Sequence, residues 1–138
     1  AQGVLFGLTH DHAAGAIGHA VAEGVAFGLR DGFESLDPSL QQAAGELDLV
    51  GGGARSAAWA QLIASVLERP LVQRDGADLG AALGAARLAW LADGGAESEV
   101  CRALPVQRRF EPDRTASAGL RERHARYRAL YPALRGHW

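Results

Sequence analysis

Apolar residues recur at near-helical spacing over a long first segment of the chain. From His12 to about Leu36 this pattern predicts one helix, and Thr9 or Asp11 is positioned to cap it. Glycines interrupt the helix, and each costs about 0.5 to 1 kcal/mol relative to alanine. We therefore expect another backbone to pack closely against it. The apolar run before the helix, residues 3–8, predicts a short buried extended segment.

The middle of the chain predicts a strand, a turn, a helix and a second strand. Residues 47–50 and 70–74 are short apolar runs of the kind that forms buried strands. Residues 51–53 are three glycines, which favour a tight turn, and residues 55–67 have the periodicity of an amphipathic helix. Two strands joined by a helix of this length form a right-handed parallel crossover.

The rest of the pattern predicts further helices and one more extended segment. Residues 37–44 have turn chemistry followed by a short helix, and residues 79–91 predict a helix whose small residues suit close packing. A short helix over 96–104, an extended basic stretch over 106–113 and an amphipathic helix over 118–134 follow. We expect one α/β domain with a short, mainly parallel sheet flanked by helices.

Composition excludes several classes of partner. Charged residues make up 22% of the chain and the net charge is −2, which does not favour nucleic acid or an anionic membrane surface. Apolar stretches end well before the ~20 residues of a spanning helix. We expect a soluble, cytoplasmic protein with neither a nucleic-acid nor a membrane partner.

The chain contains no lysine, no methionine and one cysteine. All 14 basic residues are arginine, which excludes lysine Schiff bases and P-loop lysines. The single Cys101 cannot form an internal disulfide, and we expect it to be a packing residue. The chain has no methionine and starts with Ala1, so we expect a piece of a longer protein.

The three glycines are the main candidate for chemistry. A glycine turn between a strand and a helix lets a ligand approach the backbone, and the helix N-terminus offers N–H groups to an anion. A turn with no ligand is the simpler interpretation. A third interpretation is a dinucleotide-binding turn formed by Gly51, Gly53 and Ser56, in which Asp75 would be the acid that binds the ribose. Ser56 departs from that motif, which has glycine at this position.

Three segments together resemble the xylulokinase branch of the FGGY carbohydrate kinases. Residues 3–8 followed by 19–27 resemble the second signature region of that family. Residues 50–59, with the sequence VGGGARSAAW, and residues 78–89 resemble its xylulokinase branch more closely. The resemblance weakens only after about Leu104.

The resemblance implies an actin-like, ribonuclease-H-type fold of two domains. Residues 1–138 would form the C-terminal nucleotide-binding domain of a longer kinase that uses ATP and Mg²⁺ to phosphorylate a ketopentose such as D-xylulose. The family's catalytic and metal-binding residues would lie upstream, so we assign none here. The residues implied to contact the nucleotide are Gly51, Gly52, Gly53, Ala54, Ser56 and Ala57.

Two alternatives concern the chain as a whole. It could be a catalytically silent nucleotide-binding or interaction module, which could form a homodimer through the helix over residues 12–36. It could instead be a dinucleotide-binding module that prefers NAD, because Asp75 would bind the ribose hydroxyls.

Other polar residues have simpler interpretations. Asp78 is expected to cap the helix that follows it, with a cofactor contact as the alternative. His19 and Glu23 are expected to form an ordinary helix-face pair rather than part of a metal site with the neighbouring residues His10, Asp11 and His12. Trp59, one turn into the helix after the glycines, is expected to fill the core, with support of the adenine pocket as the alternative. Six arginines in the last third of the chain are expected to be solvated: Arg108, Arg109, Arg121, Arg123, Arg126 and Arg128.

Overall fold

The computed structural model describes residues 3–137 and contains helices and short strands. Within that range the helices are α1 (Ala14–Glu34), α2 (Pro38–Ala43), α3 (Ala57–Leu67), α4 (Gly80–Ala92), α5 (Glu97–Val100) and α6 (Arg114–Leu134). The strands are β1 (Leu47–Asp48), β2 (Leu71–Arg74) and β3 (Val106–Phe110). Short 3₁₀ turns occupy Gly52–Arg55, Ala77–Leu79 and Arg135–His137. The α/β class is confirmed.

The sheet has the order β1-β2-β3 and is mixed. β1 and β2 are parallel and are joined through α3, which confirms that the predicted crossover is parallel. β3 pairs with the other edge of β2 in the antiparallel direction, so the sheet is not mainly parallel as we expected. The reason is the return of the chain: the Asp75 N–H donates to the Pro105 carbonyl at 3.0 Å, which starts β3 beside the end of β2.

The core lies between α1, α3, α6 and the sheet. Ala26, Ala60 and Ala64 are fully buried, and these small residues let α1 and α3 approach each other. α3 is the backbone that we expected to pack against α1, but the contact runs through these alanines and not through the glycines of α1. Tyr127 covers two of them, lying 3.9 Å from where a Cβ on Gly24 would be, and the remaining glycines of α1 face open space.

Apolar surface remains exposed on two parts of the chain. Residues 3–8 were predicted to be buried, but Phe6 is 77% exposed, because no other element of residues 3–137 covers this segment. The valines and leucine on one side of α1 are also about half exposed: Val21, Val25 and Leu29. α4 buries no residue within the described part of the chain, so its small residues do not pack closely there. None of the helices in residues 3–137 combines the length and the apolarity needed to span a membrane.

Helix caps decide several element boundaries. Asp37 caps α2 by accepting a hydrogen bond from the Ser39 N–H, within the turn that we predicted before this helix. α6 starts earlier than expected because Asp113 accepts hydrogen bonds at its N-terminus. The predicted caps of α1 are wrong: Ala13 occupies the N-cap position without a side-chain bond, and the Thr9 N–H donates to Nδ1 of His12.

Candidate functional site

The glycine turn follows β1 directly and opens the segment that leads into α3. Gly51 has φ 90° and ψ −177°, a region of backbone space that is essentially restricted to glycine. Gly52 and Gly53 begin a 3₁₀ turn, whose first N–H groups have no acceptor within the turn itself. A Cβ added to Gly52 would meet nothing within 4 Å. The turn therefore presents accessible backbone at the carboxyl end of β1.

A second loop, residues 75–79, leaves the carboxyl end of β2 beside the glycine turn. The two loops meet because β1 and β2 are parallel, so that both strands end at the same edge of the sheet. The Gly51 N–H donates to the Ala77 carbonyl at 2.7 Å. Nη2 of Arg55 lies 3.0 Å from Oδ2 of Asp78. A backbone hydrogen bond and an ion pair thus join the loops.

Asp78 does not cap α4, as we expected it to. Leu79 occupies the N-cap position of α4, and no side chain caps it. Asp78 instead lies in the 3₁₀ turn before the helix and pairs with Arg55, which is 23 positions earlier in the sequence. The spacing of the two residues gives no sign of this pair, since it depends on the return of the chain through α3 and β2.

The six residues predicted to contact a nucleotide differ in accessibility. Gly52, Gly53 and Ser56 are exposed, and Gly51 and Ala57 are half-buried. Ala54 is only 1% exposed, so its methyl group belongs to the core and is not available to a ligand. The structure therefore brings five of the six to the surface around one turn.

Ser56 and Trp59 support this turn from the α3 side. Oγ of Ser56 accepts the Trp59 N–H at 3.3 Å and caps α3, and its hydroxyl proton stays available to an acceptor. Trp59 packs against the core, as expected. Its indole also backs the turn, since Nε1 lies 3.1 Å from where a Cβ on Gly53 would be. Trp59 therefore lies both against the core and behind the glycine turn.

A cavity of about 330 Å³ lies next to the turn, but none of the six predicted residues lines it. Its walls come from the ends of β1 and β2, the first turns of α4 and residues 101–104. Asp75, the ribose-binding acid of the dinucleotide alternative, is among its lining residues. Cys101 also lines it and is exposed, so the expectation that it packs in the core is wrong. The buried residue is Val100, which precedes Cys101 and is the last residue of the single-turn helix α5.

A group of possible metal ligands lies elsewhere, where α1 meets α6. Asp31, Glu34 and His124 form it, with 2.9 Å between Nε2 of His124 and Oδ1 of Asp31. Arg30 lies 2.7 Å from Glu34, and Arg128 is 3.5 Å from both carboxylates. Because these guanidinium groups neutralise the carboxylates, we interpret the group as an ion-pair network. Sequence spacing could not reveal it, since His124 is 93 positions from Asp31.

Ion pairs also engage most of the arginines that we expected to be solvated. Arg121 lies 2.8 Å from Glu68, and Arg123 lies 2.7 Å from Glu23. Arg109 pairs with Glu111 and Glu46. Some of these partners lie on other elements and others lie within a few residues of the arginine. The arginines are therefore exposed, as expected, but they are also paired. The predicted pair of His19 and Glu23 is confirmed at 3.4 Å.

Comparison with known proteins connects this turn to a family. Residues 1–92 match the family model described as "FGGY family of carbohydrate kinases, C-terminal domain". Xylulose kinase of Escherichia coli (strain K12) is 39% identical over 140 aligned residues, which cover 97% of this chain. Glycerol kinase of Koribacter versatilis (strain Ellin345) is 32% identical and covers 94% of it. The chain spans only 28% and 26% of the lengths of these relatives.

Solved structures agree with the sequence comparisons. The crystal structure of a xyloylose kinase from Brucella ovis matches 96% of this chain with a TM-score of 0.78 and 38% identity. That of xylulose kinase from Rhodospirillum rubrum matches 99% with a TM-score of 0.74 and 26% identity. In both cases the match covers 28% of the solved chain. The predicted fold class and the predicted resemblance are confirmed.

Proposed function

The chain belongs to the FGGY family of carbohydrate kinases, and we propose that it supplies the adenosine and phosphate wall of the ATP site in a longer sugar kinase. On this proposal, residues 1–138 are the distal, C-terminal part of the second of two domains. The nucleotide lies along Gly51, Gly52 and Gly53 and reaches the start of α3. The observation that carries the proposal is the accessible glycine turn at the carboxyl end of a parallel strand, within the segment that matches the family.

The chemistry of the turn suits a nucleotide better than a neutral ligand. Backbone N–H groups at the start of a helical turn favour anions, since they carry a partial positive charge and lack acceptors. Gly52 leaves this backbone uncovered, because even an added Cβ would meet nothing. Ser56 adds one hydroxyl donor at the start of α3. Ala57 offers only apolar contact.

Mg²⁺ does not fit the described residues beside the turn as a site of its own. The Asp78 carboxylate is neutralised by Arg55, and the Asp31 group lies on α1 and α6 rather than on the two loops. We therefore derive no step through the metal on this chain. Phosphoryl transfer also needs a group that orients the sugar hydroxyl, and we assign no such catalytic residue here.

The substrate and the setting of the enzyme follow from its relatives. The proteins named xylulose kinase favour a ketopentose such as D-xylulose as the phosphoryl acceptor. Closure of two domains around ATP and the sugar would exclude water and suppress hydrolysis of ATP. A cytoplasmic location belongs to the same proposal, and so does a homodimer through α1, whose apolar side is exposed.

We consider two other functions as well, because the chain spans only 28% and 26% of the lengths of the relatives named above. A catalytically silent module would bind ATP without turnover. A dinucleotide-binding module would prefer NAD through Asp75, which lies at the end of β2 where that fold requires an acid. The kinase names of the relatives favour ATP over NAD.

The test is calorimetric titration of the chain, and of the intact protein that carries it, with ATP-Mg²⁺ and separately with NAD. A Gly52→Val variant places a branched side chain over the turn without a clash inside the protein. Gly45→Val is the matched control, because Gly45 is also exposed and also has no neighbour within 4 Å of an added Cβ.

We expect ATP binding that is lost in Gly52→Val and kept in Gly45→Val, and ATP-dependent phosphorylation of D-xylulose by the intact protein. Binding of NAD in place of ATP, weakened by Asp75→Ala, would establish the dinucleotide alternative. ATP binding without any sugar phosphorylation by the intact protein would leave only the silent module. Absence of ATP binding in the intact protein would refute the proposal.

A further inference from the structure

The first residue of α4 touches the backbone of the glycine turn. A Cβ added to Gly80 would lie 3.3 Å from the Gly51 nitrogen and 3.7 Å from its Cα. The same Cβ would lie 3.7 Å from Cβ of Val50. Any side chain at position 80 would therefore press on the turn at the residue that starts it.

The Gly51 nitrogen in this contact already takes part in a hydrogen bond. The Gly51 nitrogen donates its proton to the Ala77 carbonyl, and Ala77 stands three positions before Gly80. Arg55, at the far end of the same 3₁₀ turn, is held by Asp78. Residues 77–80 thus hold the glycine turn at both of its ends, through one backbone hydrogen bond, one close contact and one ion pair.

We propose that Gly80 and Asp78 are positioning residues for the nucleotide, which set the place and direction of the backbone that Gly52 and Gly53 present. This inference rests on the proposed function and deepens it. Neither residue touches the nucleotide. Gly80 acts by having no side chain, so that α4 can begin against Gly51, and Asp78 acts by restraining Arg55.

The size of the effect follows from the geometry. A Cβ at 3.3 Å from a backbone nitrogen is tighter than ordinary contact, so the turn would have to move by a few tenths of an ångström. A misplacement of about 1 Å costs on the order of 100-fold in reaction rate, and a shift of a few tenths of an ångström in the backbone that binds ATP should cost less. We therefore expect Gly80→Ala to raise the KM for ATP roughly threefold to tenfold.

Gly84 provides the matched control. It lies one turn further along α4, and an added Cβ there would meet nothing within 4 Å. Gly84→Ala makes the same chemical change in the same helix without reaching the turn. Asp78→Asn is the second variant: its side chain is partly exposed, so its loss does not endanger folding, and it removes only the charge that holds Arg55.

The experiment measures the KM for ATP, the KM for D-xylulose, kcat and the melting temperature of the intact protein and the three variants, with ATP binding by calorimetry alongside. We expect the KM for ATP to rise in Gly80→Ala, and about twofold in Asp78→Asn, since an exposed ion pair contributes little. The KM for the sugar should stay at the wild-type value in both variants. Gly84→Ala should keep the wild-type kcat and KM values, while its melting temperature stays or rises, because a glycine inside a helix costs about 0.5 to 1 kcal/mol relative to alanine.

Equal ATP affinity in wild type, Gly80→Ala and Asp78→Asn would overturn this inference and leave the proposed function standing. A parallel rise of both KM values with a lower melting temperature would also overturn it, because that pattern indicates a general packing role. If Gly80→Ala does not fold, the ATP affinity of Asp78→Asn alone tests the inference. A wild-type protein that binds no ATP would refute the proposed function itself, and this role with it.

Discussion

Arg123 on α6 and Glu23 on α1 are joined by two hydrogen bonds although 100 residues separate them in the sequence. The distances are 2.7 Å from Nε to Oε1 and 3.0 Å from Nη2 to Oε2. The side chain of Glu23 is only 9% exposed. The hydrogen bond to Glu23 raises the pKa of Arg123 above its usual range. The pair fixes α6 against α1 at a point where a carboxylate is almost fully removed from water.

We expect Arg123→Met to lower the free energy of unfolding by about 1 to 2 kcal/mol. Methionine keeps an apolar stem but leaves the buried Glu23 carboxylate without its main partner. Arg126→Met is the matched control, because Arg126 pairs with Glu122 on the exposed side of the same helix and such pairs contribute less than about 1 kcal/mol. Urea unfolding of the three proteins measures the difference. Equal losses in both variants would contradict this role of Glu23.

The conformation of Gly51 predicts that substituting this glycine lowers the stability of the protein more than substituting Gly52 does. At φ 90° and ψ −177° a Cβ is strained whatever space surrounds it, and such strain costs of order 1 to 3 kcal/mol. We expect Gly51→Ala to destabilise the protein by about that amount, whereas Gly52→Ala should change stability by less than about 0.5 kcal/mol. Thermal and urea unfolding would measure both variants. A Gly51→Ala variant as stable as wild type would mean that the turn does not need this conformation.

Asp113 predicts how stability depends on pH at the start of α6. The hydrogen bond from the Thr115 hydroxyl, with those from the Thr115 and Ala116 N–H groups, lowers the pKa of Asp113. A carboxylate with a lowered pKa in the folded state stabilises the protein above its unfolded pKa, which is about 3.9. This stabilisation is lost as the pH falls through the folded pKa.

The measurement compares wild type with Asp113→Asn, because asparagine also caps helices but does not titrate. We expect the melting temperature of wild type to fall relative to that of the variant between about pH 5 and about pH 2. Circular dichroism during heating follows the unfolding of the helices. A difference between the two proteins that stays constant over this range would show that the carboxylate of Asp113 has the same pKa in both states.

Local sequence chemistry accounts for the elements that were predicted well. The strand, glycine turn, helix and strand over residues 47–74 were found because short apolar runs, glycines and helical periodicity act within a few residues. The turn before α2 was found for the same reason, whereas the cap that Asp37 provides there was not predicted. The fold family followed from motif residues in a fixed order, and the comparisons confirm it.

Contacts between distant segments account for what was missed in the site. Asp78 looked like a cap because of the helix after it, but its partner Arg55 is brought to it by the fold. Ala54 was assigned to the ligand because of its place in the motif, but it points into the core. The close approach of Gly80 to the turn has no sequence pattern, because the fold brings two separate elements together, so that a Cβ added to Gly80 would lie 3.3 Å from the Gly51 nitrogen.

The sequence by itself determined the helices and strands, the position of the glycine turn and the family, since each depends on neighbouring residues or on their order. Only the tertiary structure decided which apolar faces are covered, which arginines find carboxylates and which residues hold the turn in place. The reason is that burial and pairing are properties of two segments together. The exposed side of α1 and the buried carboxylate of Glu23 lie on one helix, and its periodicity does not distinguish them.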